Sequence, residues 1–218
     1  MDWGFDTDLL LLINGFHHPF FDEFMLLYSS KFVWIPFYLV IILYLKSCLG
    51  TWKKTLLGVL AIIALVALSD QISATLLRPY FQRMRPSNPL NPISQFVHVV
   101  GSRGGQYGFP SCHAANISAI AVFVIFICRD KLTAVTLILW TFLMGYSRLY
   151  LGVHYPSDIV VGLGIGCASA ALVYCIFKRY VTIETKKGKS SHYLIPVMWV
   201  LTVLVLFCCP LAKLLLND

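Results

Sequence analysis

Charged residues are scarce in this chain: they make up 12% of its 218 residues, and only 10 are acidic, against 58% hydrophobic residues. With a mean hydropathy of +0.77, that imbalance excludes an ordinary soluble domain and implies an integral membrane protein. The few carboxylates are not grouped. On the face where the other polar residues collect, the sequence offers mainly Asp158, with Asp70 near the end of an apolar run. A catalytic metal pair wants several clustered carboxylates, so neither a metal site nor a cofactor is expected. No Lys or Arg precedes Lys31, whereas Asp2, Asp6 and Asp8 do, so the positive leading region of a cleaved signal peptide is missing. Cys48, Cys112, Cys128, Cys167, Cys175, Cys208 and Cys209 show no regular spacing. They suggest neither a disulfide framework nor a zinc site, and most read as small core residues.

Apolar runs near 25–45, 55–77, 113–128, 132–146, 157–177 and 193–216 each approach the roughly 20 residues that cross a bilayer as helix. The expected fold is therefore all-α, a bundle of six transmembrane helices in a single domain over 1–218. The segment FDTDLLLLINGF at the N-terminus is too short to span and reads as an interfacial helix.

Charge then orients the bundle. Lys46, Lys53, Lys54, Arg129, Lys131, Lys178, Arg179, Lys186, Lys187 and Lys189 all fall in the links on one side, which the positive-inside rule makes cytoplasmic. Arg78, Arg83, Arg85, Arg103, Arg148 and Lys213 fall on the other side, and Lys31, inside the first run, can snorkel outward. A nucleic-acid partner would also explain a net charge of +7, but no recognition motif accompanies it, and topology accounts for the lysines.

The outward arginines are concentrated. Three stand in LRPYFQRMRP, which opens a long link carrying Pro86, Pro89, Pro92, Gly101, Gly104, Gly105 and Gly108 and ending in FPSCH. Long links in compact proteins are functional or disordered, and this one holds too many specific residues for a linker. Ser111 precedes an apolar run, so it can cap a helix whose first free amides, at Cys112 and His113, suit an anion. Taken alone, Ser111 only caps and His113 only sits at the interface. In SRLYLGVHYPSD, Pro156 suits a first helical turn, with His154 just before it and Asp158 inside it. Asp158 could hold one ring nitrogen of His154 and free the other, or merely complement the helix dipole. The three clusters fall on one membrane face, where guanidinium forks match phosphate oxygens.

These stretches resemble the type 2 phosphatidic acid phosphatases, which share a site with the vanadium haloperoxidases. The family patterns KxxxxxxRP, PSGH and SRxxxxxHxxxD appear as Arg78 with six residues before Arg85-Pro86, as Pro110-Ser111-Cys112-His113, and as Ser147-Arg148, His154 and Asp158. The resemblance covers a catalytic core of about 70–160, with two departures, Arg78 for the usual Lys and Cys112 for the usual Gly. A Cys-dependent phosphatase would want an arginine six positions after Cys112, where Ser118 stands.

By this resemblance His154, oriented by Asp158, is the nucleophile and forms a phosphohistidine. His113 is the acid and then the base, and Arg78, Arg85, Ser111, Cys112 and Arg148 surround the phosphate. The implied protein is a lipid phosphatase of a bacterial cytoplasmic membrane with its site facing outward. Its partners would be a lipid phosphate and the surrounding lipids, and the oligomeric state stays open. Undecaprenyl diphosphate and lipid A lead as substrates, ahead of phosphatidylglycerol phosphate and phosphatidic acid. A soluble haloperoxidase and a non-catalytic lipid-phosphate binder or transporter are the rivals. The first is disfavoured by the spans, the second by the presence of both histidines and Asp158.

Overall fold

The computed structural model describes residues 4–183 and 189–216, and for 189–190 and 211–216 only the backbone. Lys186 and Lys187, counted above for orientation, lie outside the described residues, as does Asp2. The described chain is all-helical: α1 (Gly4–Gly15), α2 (Pro19–Tyr28), α3 (Ile35–Leu49), α4 (Trp52–Asp70), α5 (Arg78–Phe81), α6 (Cys112–Cys128), α7 (Lys131–Tyr150), α8 (Pro156–Tyr180) and α9 (Leu194–Leu216). A π-helical stretch, Gln71–Leu77, joins α4 to α5 without a break. Pro79 in α5 has no N–H to return to the preceding turn, a local cause for the widened stretch.

Among the described residues, four helical segments are long and apolar enough to cross a membrane: Trp52–Phe81, Lys131–Tyr150, Pro156–Tyr180 and Ser191–Pro210. Two apolar helices are shorter, α3 with 15 residues and α6 with 17. The run expected over 25–45 is not one helix. α2 stops at Tyr28, and α3 starts at Ile35 with Pro36 in its first turn, where proline's fixed φ and missing N–H fit. Trp34 is buried in the gap and donates its indole N–H to the carbonyl of Tyr28 at 2.8 Å. That carbonyl would otherwise be an orphan of the helix end. Hydropathy averaged over the run did not show the break, although Ser29, Ser30 and Lys31 fall in the gap.

α6 is the inner helix, flanked by α3, α4, α7 and α8. Its apolar residues point in every direction, as suits a helix enclosed on most sides by others. α8 approaches it most closely through Gly162 and Gly166: a Cβ at Gly166 would lie 2.2 Å from the carbonyl oxygen of Ala115. The Gly-xxx-Gly pattern thus serves a contact within the chain. Trp34, Phe37 and Trp140 form a second packed centre with ring centroids 5.0–5.6 Å apart. Cys48 and Cys128, at the ends of α3 and α6, form a disulfide, a pairing that the irregular cysteine spacing did not suggest.

Candidate active site

Five chain segments meet at one end of the bundle: the end of α5, the 82–111 link, the start of α6, the end of α7 and the start of α8. The link is held in place locally. Arg85 N–H donates to the Gln106 carbonyl at 3.1 Å and Gly108 N–H to the Arg83 carbonyl at 2.9 Å, so its two arms lie side by side. Ser87 and Arg103 tie the arms further back through two hydrogen bonds of 2.8 and 2.6 Å. Gly104, at φ +72°, turns the second arm against the Arg85 guanidinium, a conformation that costs glycine little.

The expected helix starts are present. Ser111, fully buried, caps α6 by accepting from the Ala114 amide, and Pro156 stands in the first turn of α8. Cys112 is the first helical residue of α6 and has no positive φ, so the backbone there does not demand glycine. Its Sγ accepts from Arg78 Nη2 at 3.0 Å, and the same nitrogen reaches the Pro110 carbonyl at 3.2 Å.

His154 and Asp158 are buried at 1% and 0% exposure. Asp158 Oδ2 accepts from the Tyr155 amide at 2.9 Å and pairs with His154 Nδ1 at 3.1 Å. His154 Nε2 faces Arg85 Nη1 at 2.9 Å. A guanidinium can only donate, so Nε2 carries the lone pair and the ring proton sits on Nδ1, shared with Asp158. Burial, and then the charges of Arg85, Arg148 and Arg78, hold the His154 imidazole well below its ordinary value of 6.5, against a weaker upward pull from the Gly108 backbone. The ring is therefore neutral near pH 7, with its lone pair on the nitrogen away from Asp158. Arg85 itself is brought down to about 10 by burial and by Arg78, and it stays a cation.

His113 stands half-buried in the first turn of α6, within electrostatic reach of Arg148, His154 and Arg85. Arg148 donates to the Ser29 hydroxyl at the end of α2. Arg78, Arg85 and Arg148 each keep a buried Nε–H without a partner. Three unpaired guanidinium donors at one end of the bundle suit an oxyanion, since a lost hydrogen bond at a buried charged donor is costly.

The structure brings four unassigned residues into this site. Arg83 bonds Asp158 from outside, with Asp6 and Ser157 behind it. Gly108 lies against both members of the dyad: a Cβ there would meet Asp158 Oδ2 at 3.2 Å and His154 Nδ1 at 3.5 Å. For Arg83 a signal existed, because residues two apart in an extended segment share a face, so Arg83 and Arg85 in QRMRP had to point to the same side. Asp70, the other carboxylate on this face, accepts from Asn116 Nδ2 at 3.4 Å.

A model of the PAP2 superfamily matches residues 55–182, more than half of the chain. The chain belongs to the PAP2 superfamily. Among its relatives, the lipid A 4'-phosphatase of Bacteroides thetaiotaomicron is 46% identical over 78% of this chain and 76% of that protein. The lipid A 4'-phosphatase of Porphyromonas gingivalis is 35% identical over 79% and 72%. The crystal structure of Aquifex aeolicus LpxE matches 82% of this chain and 98% of its own, with a TM-score of 0.61 and 28% identity. This PAP2 chain is an integral membrane protein.

The buried neutral imidazole makes stability depend on pH. The unfolded chain takes up a proton near pH 6.5 while the folded site refuses it until much lower pH. Between those limits the unfolded state binds more protons, so stability rises with pH. The contribution is complete above about pH 6.5 and is lost as pH falls, by up to about 1.4 kcal/mol per pH unit. In detergent, His154→Gln should therefore lose less melting temperature than the wild type between pH 7 and pH 5. Parallel curves would show that His154 is not held neutral.

Proposed function

We propose that this protein removes a phosphate from lipid A at the outer face of a bacterial cytoplasmic membrane, by a metal-independent double displacement at His154. The observation that carries the reading is His154 itself, a buried neutral imidazole fixed by Asp158 with its free nitrogen facing a cluster of guanidiniums. The lipid A 4'-phosphatase relatives supply the choice of lipid. His154 Nε2 attacks phosphorus while the bond from phosphorus to the lipid oxygen breaks, and His113 gives the leaving oxygen its proton. A water then attacks the phosphohistidine, passing a proton to His113, and inorganic phosphate leaves as the phosphorus–nitrogen bond breaks. Arg78, Arg85, Arg148, Ser111 and the first amides of α6, including that of Cys112, hold the equatorial oxygens as charge develops. Arg85, now on His154 Nε2, turns to the phosphate on binding.

The whole chain acts as one domain, with its catalytic core over about 70–160, and crosses the bilayer six times. α3 and α6 are short for a bilayer of about 30 Å. α6 is shielded from lipid by its neighbours, so irregular backbone at its ends stays inside protein. α1 lies at the outer interface. A cysteine placed at exposed Ser102 should be labelled in intact cells by an impermeant thiol reagent, and one at exposed Lys53 should not, with the other exposed cysteines replaced by serine. The opposite pattern reverses the orientation.

Purified protein, offered lipid A, undecaprenyl diphosphate, phosphatidylglycerol phosphate and phosphatidic acid in micelles, should release phosphate fastest from lipid A. Release should continue in excess chelator and stop with vanadate, which mimics five-coordinate phosphorus. Faster release from undecaprenyl diphosphate moves the substrate to a polyprenyl carrier, and no release from any of them returns the binder reading.

A further inference from the structure

We propose that Arg83, clamped by Asp6 of α1, is a positioning residue that locks Asp158 and through it His154. It would make the N-terminal helix part of the catalytic apparatus. The proposal rests on the phosphatase reading above and concerns Asp6, outside the three family patterns, and Arg83, at an unspecified position within the first.

Asp158 has two oxygens, and they face different tasks. Oδ2 takes the Tyr155 amide and the His154 ring. Oδ1 takes Arg83 Nη1 at 3.1 Å. The same Nη1 donates to Ser157 Oγ at 2.6 Å, and Nη2 donates to Asp6 Oδ2 at 2.5 Å. Asp6 then returns to α8, accepting from the Ser157 amide at 2.9 Å through Oδ1 and from the Ser157 hydroxyl at 2.5 Å through Oδ2. The guanidinium carbon lies over the Tyr155 ring, 3.9 Å from its centroid, and the Tyr155 hydroxyl accepts from Asn91 at 3.0 Å. Both terminal nitrogens and one face of Arg83 are thereby engaged.

Side-chain exposures along this row are 6% for Asp6, 12% for Arg83 and 1% for Asp158. Buried charges are costly singly, and an alternating row of carboxylate, guanidinium and carboxylate offsets that cost while leaving one arrangement of lowest energy. Two oxygens held at both ends cannot rotate, so the Oδ2 lone pair stays on the line to Nδ1. Removing Arg83 frees Oδ1 and lets the carboxylate turn. Arg83 is bound to Asp158, Ser157 and Asp6, so its loss should act on the chemical step rather than on substrate binding.

Arg83→Met should lower kcat on lipid A by about 10- to 100-fold, the range typical of groups that orient a reacting or ligating histidine. KM should stay within about twofold, as for a group that acts on the transition state. Arg83→Lys should recover part of kcat, because one ammonium can reach Asp158 but cannot fork to Asp6. In an Asp158→Asn background Arg83→Met should cost nothing more, since both act through one oxygen pair. Vanadate affinity, followed by vanadium NMR without any lipid, should fall for Arg83→Met in the wild-type background alone. If Arg83→Met does not fold, Asp6→Asn, which loosens Arg83 from the far side, is read in the same way with a smaller loss. Unchanged kcat, a raised KM at constant kcat, or a full extra loss on top of Asp158→Asn would each overturn the role. A wild type that binds vanadate but frees no phosphate from any lipid would overturn only the phosphatase reading, because the vanadate comparison still reports on Arg83.

Discussion

His154→Ala should release phosphate from lipid A at less than about one thousandth of the wild-type rate, the scale on which removal of an enzyme nucleophile acts. Its melting temperature at pH 8 should stay near that of the wild type. The two effects separate because the helix bundle packs without His154, whereas the chemistry needs the nitrogen that Asp158 and Arg85 hold between them. Asp158→Asn should lose nearly as much, for another reason. An amide keeps the shape but cannot accept from the Tyr155 amide and from Nδ1 with full charge, and it can present its NH2 to the ring, which then carries the proton on the wrong nitrogen. Enzyme quenched in alkaline denaturant should trap an acid-labile, base-stable phosphorylated protein from the wild type and none from His154→Ala. Wild-type turnover by His154→Ala would move the nucleophile elsewhere, and His113 would be the next residue to replace.

The parts of this site that were legible in the sequence are those encoded by local spacing. Ser111 before an apolar run, Pro156 at a helix start, and His154 and Asp158 four apart across that start are all consequences of helix ends, and helix ends leave donors that particular residues satisfy. The parts that were not legible depend on chain segments far apart. Asp6 and Arg83 are separated by 77 positions, and nothing in FDTDLL marks Asp6 as the aspartate that will turn inward rather than Asp8. Ser29, which holds Arg148 from 119 positions away, was hidden inside what read as a continuous apolar run. The break there is closed locally, by Trp34 folding back on the Tyr28 carbonyl, a hydrogen bond that hydropathy cannot report. Cys112 shows another case: the family pattern marked it only as a departure from Gly, whereas its helical position makes the side chain the difference, and that side chain meets Arg78. Cys112→Gly and Arg78→Lys should both keep activity within an order of magnitude, because neither removes the positive charge or the helix start.

Gly166→Ala should destabilise the protein more than any single change outside the charged row, while Gly164→Ala on the same helix should be harmless. A methyl at Gly166 would lie 2.0 Å from Ser118 Oγ, 2.2 Å from the Ala115 carbonyl oxygen and 2.8 Å from the Ala119 amide. The serine could turn away, but the other two atoms are backbone of α6 and can move only with the helix. Gly162, one turn earlier on the same face, would meet the Ser111 carbonyl oxygen at 2.5 Å, so the two glycines together set how near α8 comes to α6. Overpacking at relaxed sites costs about 1–3 kcal/mol, and contact with backbone belongs at or beyond the upper end. Native proteins hold only about 5–15 kcal/mol in reserve, so a substantial fall in melting temperature is expected. Gly164 has nothing within 4 Å of its would-be Cβ, and alanine there gains the roughly 1 kcal/mol by which it exceeds glycine as a helix former. The chemistry should follow the packing, because α6 carries Ser111 and His113 and α8 carries Asp158. Pushing the helices apart widens the distance between the acid and the nucleophile, and a displacement of about 1 Å can cost 100-fold. At a temperature where Gly166→Ala is still folded, its kcat should fall well below that of Gly164→Ala. Equal melting temperatures and equal rates for the two variants would show that the α6–α8 seam is looser than the Gly162 and Gly166 contacts require.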